Sequence, residues 1–214
     1  MKGEIRMKKV LLGLIATVCG IIFVYSAWKL YGSYSSYQEA KTTYQKLRRQ
    51  VVKKDQNRER KINFNRLEKI NPDVIGWIYV PGTKIDYPVV QGEDNEEYLH
   101  KTFDGKENSS GAIFMDKDGK SDFLADNNLI YGHHMKNGSM FAALVEYKDP
   151  DYFNAHRTIY LYTPQGVYTA TVFSAYVDVA TGPQTTISFQ DDAAFLSFVE
   201  TMRNQSITKT DTPI

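Results

Sequence analysis

Leu129-Ile130-Tyr131-Gly132-His133-His134-Met135 decides how the rest of the chain is read: an apolar run that stops at a glycine and delivers two histidines. Such a run, bounded by turn residues, reads as a strand. Reacting side chains tend to sit where a rigid strand gives way to a loop, so the pair stands at a favourable place. Neighbours on a strand point to opposite faces, and only one of the two rings can serve a given cleft. The same geometry weighs against a metal-dependent hydrolase built on His133 and His134, and no cysteine or evident third ligand is near in sequence.

Outward from this stretch, short β-branched or aromatic pieces recur at residues 77–80, 86–90, 112–115, 128–131, 158–163 and 168–178. Pro81-Gly82, Asp104-Gly105, Asp118-Gly119 and Gln165-Gly166 mark turns between them. Short strands at such spacing predict a small β-barrel or sandwich. Residues 191–204 revert to a helical period, with Phe195, Phe198, Val199 and Met202 on one face. Upstream, residues 33–70 read as an amphipathic helical stalk, with apolar positions at Tyr37, Ala40, Tyr44, Leu47 and Val51, then Ile62, Leu67 and Ile70. The polar stretch 53–61 separates or extends two helical pieces, and Asn71-Pro72 closes the region because the residue before proline leaves the helical basin.

The first thirty residues set the compartment. Val10 to Trp28 carry no charge and form a helix of about 28 Å at about 1.5 Å per residue, long enough for a bilayer. Lys2, Arg6, Lys8 and Lys9 precede it against Glu4 alone, which keeps the N-terminus cytoplasmic and sends the rest outside. A cleaved signal peptide is the competing reading, but its apolar core is shorter and ends in an A-x-A-like site that is not evident here. The expected organisation is a cytoplasmic tail (1–9), a membrane anchor (10–30), an extracytoplasmic stalk (31–70) and one β domain (71–214).

Net charge is +1, which argues against a nucleic-acid partner, since neutralising phosphates takes clustered Lys and Arg. The one basic cluster, Arg48 to Lys61, is interrupted by Asp55 and Glu59 and reads as the solvated face of a helix, or as a segment lying near anionic headgroups. The single cysteine, Cys19, lies inside the anchor, so disulfides and cysteine-ligated zinc cannot hold the outer domain. His100 and His156 read as surface or loop residues. Asp116-Lys117-Asp118-Gly119-Lys120 resembles the start of a calcium loop, but Lys120 stands where the third acid belongs and Asn127 where the bidentate glutamate belongs; it reads as a turn. Neither G-x-S-x-G nor a nucleotide-binding glycine fingerprint occurs.

Several ordered segments together resemble the class B sortases. They are Asn71-Pro72-Asp73-Val74-Ile75-Gly76-Trp77-Ile78, Val80-Pro81-Gly82-Thr83-Lys84-Ile85-Asp86-Tyr87-Pro88-Val89-Val90-Gln91, Asp94-Asn95, Tyr98-Leu99, Gly111-Ala112-Ile113-Phe114-Met115-Asp116 and the opening stretch from Asn128 to Met135. The resemblance runs from about Asn71 to the end, and the helix at 191–204 is similar to the insertion before the seventh strand of that class. It implies an α+β, mainly β fold of sortase-barrel type. It also implies the family's activity, a cysteine transpeptidase of Gram-positive bacteria that cleaves a sorting signal of secreted proteins, of the Asn-Pro-x-Thr-x type, and joins the acyl product to a peptidoglycan amine. In that mechanism a thiolate forms an acyl enzyme, a histidine protonates the leaving amine and an arginine stabilises the oxyanion. By resemblance the histidine is His133, and Asn95 and Leu99 match positions lining the sorting-signal groove. No cofactor and no metal are required.

The family pattern also places a Thr-Leu-x-Thr-Cys strand and a later arginine after the helix, whereas here the sequence reads Thr210-Asp211-Thr212-Pro213-Ile214. Cys19 is no substitute, since hydrocarbon suppresses thiol ionisation. The expectation is an N-terminal fragment or truncated reading frame, inactive by itself, with the last strands of the barrel missing. The alternative is a catalytically dead, membrane-tethered barrel that binds peptides or partner proteins.

Overall fold

The computed structural model describes residues 2–54, 59–179 and 181–212; Asp55 of the basic cluster and the closing Pro213-Ile214 lie outside them. Two compact units divide the chain, Met1–Glu39 and Ala40–Ile214. In the first, helix α1 (Lys2–Val51) carries Leu11, Leu12, Ile15, Ile21, Ile22 and Phe23 exposed. That stretch is long and apolar enough to cross a membrane, and an exposed helix without a polar face is at home in lipid rather than water.

The second unit begins well before residue 71. Ala40, Tyr44, Leu47 and Val51 are all buried, at spacings of four and three that put them on one helical face. Tyr44 fixes this face to the domain, its hydroxyl donating to the Gly111 carbonyl at 2.8 Å and accepting the Phe103 N–H at 3.3 Å. Burial pushes that hydroxyl well above the ordinary tyrosine range. The polar stretch that follows is a hairpin rather than helix: β1 (Val52–Lys54) pairs antiparallel with β2 (Arg60–Ile62), Val52 opposite Ile62 and Lys53 opposite Lys61. Its period of two turns Val52, Arg60 and Ile62 partly inward and leaves Lys53 outward. A short helix, α2 (Phe64–Glu68), follows, with the Asn63 side chain accepting the Arg66 N–H as its cap.

The sheet holds β3 (Val74–Tyr79), β4 (Asp86–Val90), β5 (Ile113–Met115), β6 (Ile130–Tyr131), β7 (Thr158–Thr163) and β8 (Gly166–Thr171). Their order is β6-β5-β4-β3-β7-β8, with β4 and β5 parallel and the other neighbours antiparallel. This is a mixed, curled half-barrel with β6 and β8 as its edges. Trp77, Val80, Ile85, Val89, Val90, Ile113 and Met115 are fully buried around its centre. Helices α3 (Pro150–Ala155) and α4 (Asp192–Gln205) flank it. The last strand stops at Thr171 rather than running to 178. Beyond it the Val172 N–H still donates to the Arg157 carbonyl, but Ala175 donates its N–H to the Ser206 hydroxyl and accepts the Ile207 N–H, so no ladder continues.

At the sheet's centre one carboxylate gathers three donors. Asp86 accepts the Trp77 indole N–H at 2.7 Å, pairs with Arg48 Nε at 3.0 Å and meets the Arg60 guanidinium in a still closer contact. Arg60 also stacks on the Tyr79 ring. Two cations of the basic cluster are thereby structural, holding the end of α1 and the hairpin to β4.

Candidate active site

His133 is delivered by β6, which pairs only with β5, Phe114 opposite Tyr131 and Met115 opposite Ile130. Gly132 makes the exit possible. A Cβ there would stand 2.4 Å from Ile113 Cδ1 and 2.8 Å from Phe141 Cδ2, both in the core, so the backbone approaches more closely than a side chain permits. The Phe141 N–H then donates to the His133 carbonyl at 3.0 Å and fixes the backbone beneath the ring.

The His133 ring is half-buried, with Nε2 2.8 Å from the Leu99 carbonyl oxygen. A carbonyl only accepts, so Nε2 carries the hydrogen and Nδ1 is the nitrogen left to gain or lose a proton. His134 is exposed, as strand alternation requires. His100 comes closer than its sequence context announced: its ring lies 6.4 Å from that of His133, tilted by 30°. No pattern in the sequence couples these two positions, because the contact is made between a loop and a strand end. His156 is a local matter, its Nδ1 bonded to the Tyr152 carbonyl at 2.8 Å at the end of α3.

Asn95 and Leu99 lie on the loop after β4, which is clamped to the β5–β6 pair at two points. Asn95 Nδ2 donates to Asp116 Oδ2 at 2.9 Å, and Asn95 Oδ1 accepts the Lys117 N–H at 2.8 Å. The same Asp116 oxygen accepts the Tyr131 hydroxyl at 2.9 Å, and its other oxygen accepts the Asp118 N–H. Burial by itself would raise the Asp116 carboxyl, but these donors together hold it below its ordinary value. Burial and then the bond to Asp116 push the Tyr131 hydroxyl up to about 12. Asp116-Lys117-Asp118-Gly119 is thus a turn whose acid serves the loop. The second clamp is the Leu99 carbonyl on His133; the Leu99 side chain is half-exposed. Gly111, at φ +58°, runs so close beneath that a Cβ would stand 2.7 Å from the Leu99 and Tyr98 carbonyl oxygens.

A polar cleft of about 790 Å³ opens beside this loop, lined by Asp73, Gln91, Glu93, Glu97, Lys117 and Lys120 among others; His133 is not in its wall. Cys19 is exposed on the apolar helix. Arg48 and Arg60 are committed to Asp86, and Arg157 and Arg203 bond Thr210 and Thr212. Among the described residues no cluster of three His, Cys, Asp or Glu could hold a metal ion.

A family model described as the sortase domain matches residues 78–205. Sortase B of Staphylococcus aureus is 30% identical over 209 residues, covering 96% of this chain and 85% of that protein. Among solved structures, sortase B from Bacillus anthracis in complex with AAEK1 superposes with a TM-score of 0.76 at 33% identity, covering 85% of this chain and 86% of that one. A Staphylococcus aureus sortase B–substrate complex gives 0.74 at 28% identity, covering 84% of each chain. The span of the match takes in nearly all of the half-barrel, the clamped loop and the β6 end that carries His133, and with it the chain belongs to the sortase family, on its sortase B side.

Proposed function

We propose that this chain supplies the sorting-signal groove and the proton-transfer histidine of a class B sortase, anchored by residues 10–30 with the half-barrel outside the cell. The observation that carries this reading is His133: half-exposed at the end of β6, with Nε2 committed to the Leu99 carbonyl and Nδ1 free. In the family's reaction a thiolate adds to the scissile carbonyl, and collapse of the adduct expels an amine that takes a proton from the imidazolium. The amine of a peptidoglycan precursor then adds to the thioester, and the imidazole takes back the proton as the thiolate leaves. His133 Nδ1 is the atom that carries this proton in both directions. Leu99 and Asn95 border the groove, Leu99 with its side chain and Asn95 by holding the wall through Asp116. The sole thiol of these 214 residues is on the anchor helix, so they do not transfer an acyl group by themselves.

Two experiments test this. Reading the coding sequence past the Ile214 codon is expected to show Thr-Leu-x-Thr-Cys, in frame or one frameshift away; a stop followed by unrelated sequence favours a barrel that only binds peptides. In a form carrying that cysteine, His133→Ala abolishes transfer of an Asn-Pro-x-Thr-x reporter peptide to an amine, while His134→Ala retains most of it. The reverse order overturns the assignment of His133.

A further inference from the structure

The bond that commits His133 Nε2 ends on a carbonyl, and a carbonyl points only where its peptide plane is held. The Leu99 carbonyl belongs to a single 3-10 turn, Glu97–Leu99, too short to keep its own direction. Asp94 caps the start of that turn by accepting the Glu96 and Glu97 N–H groups at 2.9 and 2.8 Å. Buried Tyr98 holds its far end from inside. The Tyr98 hydroxyl donates to Asp73 Oδ2 at 2.6 Å and accepts from Asn71 Nδ2 at 2.8 Å. Both partners are themselves fixed. The Asp73 N–H donates to Asn71 Oδ1 at 2.9 Å, Asn71 Nδ2 also reaches the Phe103 carbonyl at 3.0 Å, and the Asp73 carbonyl accepts the Gln91 N–H at 2.9 Å just beyond the β3–β4 pair. Burial, and then the bond to Asp73, push the Tyr98 hydroxyl well above the ordinary tyrosine range, so it stays a donor at neutral pH.

We propose that Tyr98 is a positioning residue for His133: its hydroxyl holds the Leu99 carbonyl on Nε2 and so keeps the imidazole in the tautomer whose Nδ1 is open to a proton. Two observations carry this. The Tyr98 carbonyl accepts the Ala112 N–H at 2.9 Å, and a Cβ on Gly111 would stand 2.7 Å from both the Tyr98 and the Leu99 carbonyl oxygens. The two carbonyls therefore lie side by side, and a shift of Tyr98 moves both. Packing alone, moreover, does not call for the hydroxyl, since phenylalanine would fill the same space without needing partners. Here the hydroxyl has a carboxylate acceptor, which makes its bond one of the stronger kind and its direction well defined. Tyr98 is buried and acts only through the carbonyl. The proposal rests on the reading of His133 as the proton carrier.

The test uses the full chain in detergent micelles, with its four histidines isotope-labelled at the ring nitrogens. Ring-nitrogen NMR shifts, read well above the ordinary imidazole pKa of about 6.5, give the ratio of the two neutral tautomers for each ring. Tyr98→Phe is expected to lower the ratio of Nε2–H to Nδ1–H at His133 about five-fold, the worth of one hydrogen bond. His156, bonded at the end of α3, should not change. Asp73→Ala removes the acceptor, leaves the tyrosine ring in place and is expected to act in the same direction, which covers the case in which the first variant does not fold. A His133 ratio unmoved by either variant overturns the proposal. So does a shift shared by His133 and His156, which marks general loosening rather than positioning. Failure of both variants to fold makes the hydroxyl a requirement of the fold and likewise overturns it. In a form carrying the cysteine, transfer that survives His133→Ala overturns the proposed function, while the tautomer ratio still measures the hold of Tyr98 on the ring.

Discussion

β4 and β6 belong to one sheet and live under opposite regimes. All five residues of β4 are buried, it is paired on both sides, and its Asp86 gathers an indole and two guanidiniums. β6 has two half-buried residues and a single partner, and it ends in a histidine held by one side-chain hydrogen bond. The difference teaches where this fold keeps its stability and how loosely it holds the end at which the proposed chemistry would take place. Opening free energy varies across a structure, and groups that must change protonation belong at the weakly held margin. At the centre the Asp86 carboxylate is held by three donors; at the edge the His133 ring is held through Nε2 alone.

The comparison breaks if central residues turn out cheap to remove. Trp77→Ala deletes the largest fully buried side chain and a donor to Asp86, with an expected loss of about 3–5 kcal/mol. Thermal melting followed by circular dichroism would then fall by roughly 10 °C, and a shift of only a degree or two would contradict a core centred on β3 and β4. Asp86→Asn leaves two guanidiniums against a neutral amide. Breaking a buried pair costs about 3 kcal/mol at the low end of its range, the end that applies because the Arg48 side chain is 37% exposed; urea titration measures it.

At the margin the effects shrink and acquire a pH dependence. Tyr131→Phe removes one donor from Asp116, for about 1 kcal/mol near neutrality. The folded Asp116 carboxyl ionises below its unfolded value of about 3.9. Its contribution is therefore complete above about pH 4 and is lost as pH falls through the still lower folded value. The stability gap between wild type and Tyr131→Phe should accordingly close in acid, and a gap that widened there would deny Asp116 its role. His133→Ala is expected to change stability least, by less than about 1 kcal/mol, with chemical denaturation as the check. A large loss would make the ring a structural element rather than a proton carrier.

Legibility from sequence followed the same division. Strands 77–80, 86–90 and 158–163 were readable because their residues are β-branched or aromatic and bounded by turns, and the structure places strands on those segments. The extension to 178 failed because Val172 to Asp178 keeps the composition of a strand but lacks a neighbour of the right register. Residues 53–61 looked merely polar, since a hairpin of three-residue strands offers almost no period to detect. Around the candidate site, the contrast between half-buried His133 and exposed His134 was legible from one strand end. The approach of His100, the anchoring of Asn95 on Asp116 and the bond from His133 to the Leu99 carbonyl were not, because each joins segments tens of residues apart.

The sequence by itself determined the long apolar N-terminal helix, the strand-rich character of the domain, the sortase resemblance and the place of a histidine after its Tyr-Gly step, for these follow from composition and local order along the chain. Only the tertiary structure decided that the second compact unit takes in α1 from Ala40 onward, that Asp86 is its ionic centre, and which nitrogen of His133 is free. Pairings of that kind depend on distances between remote segments, and hydrophobic periodicity carries no record of them.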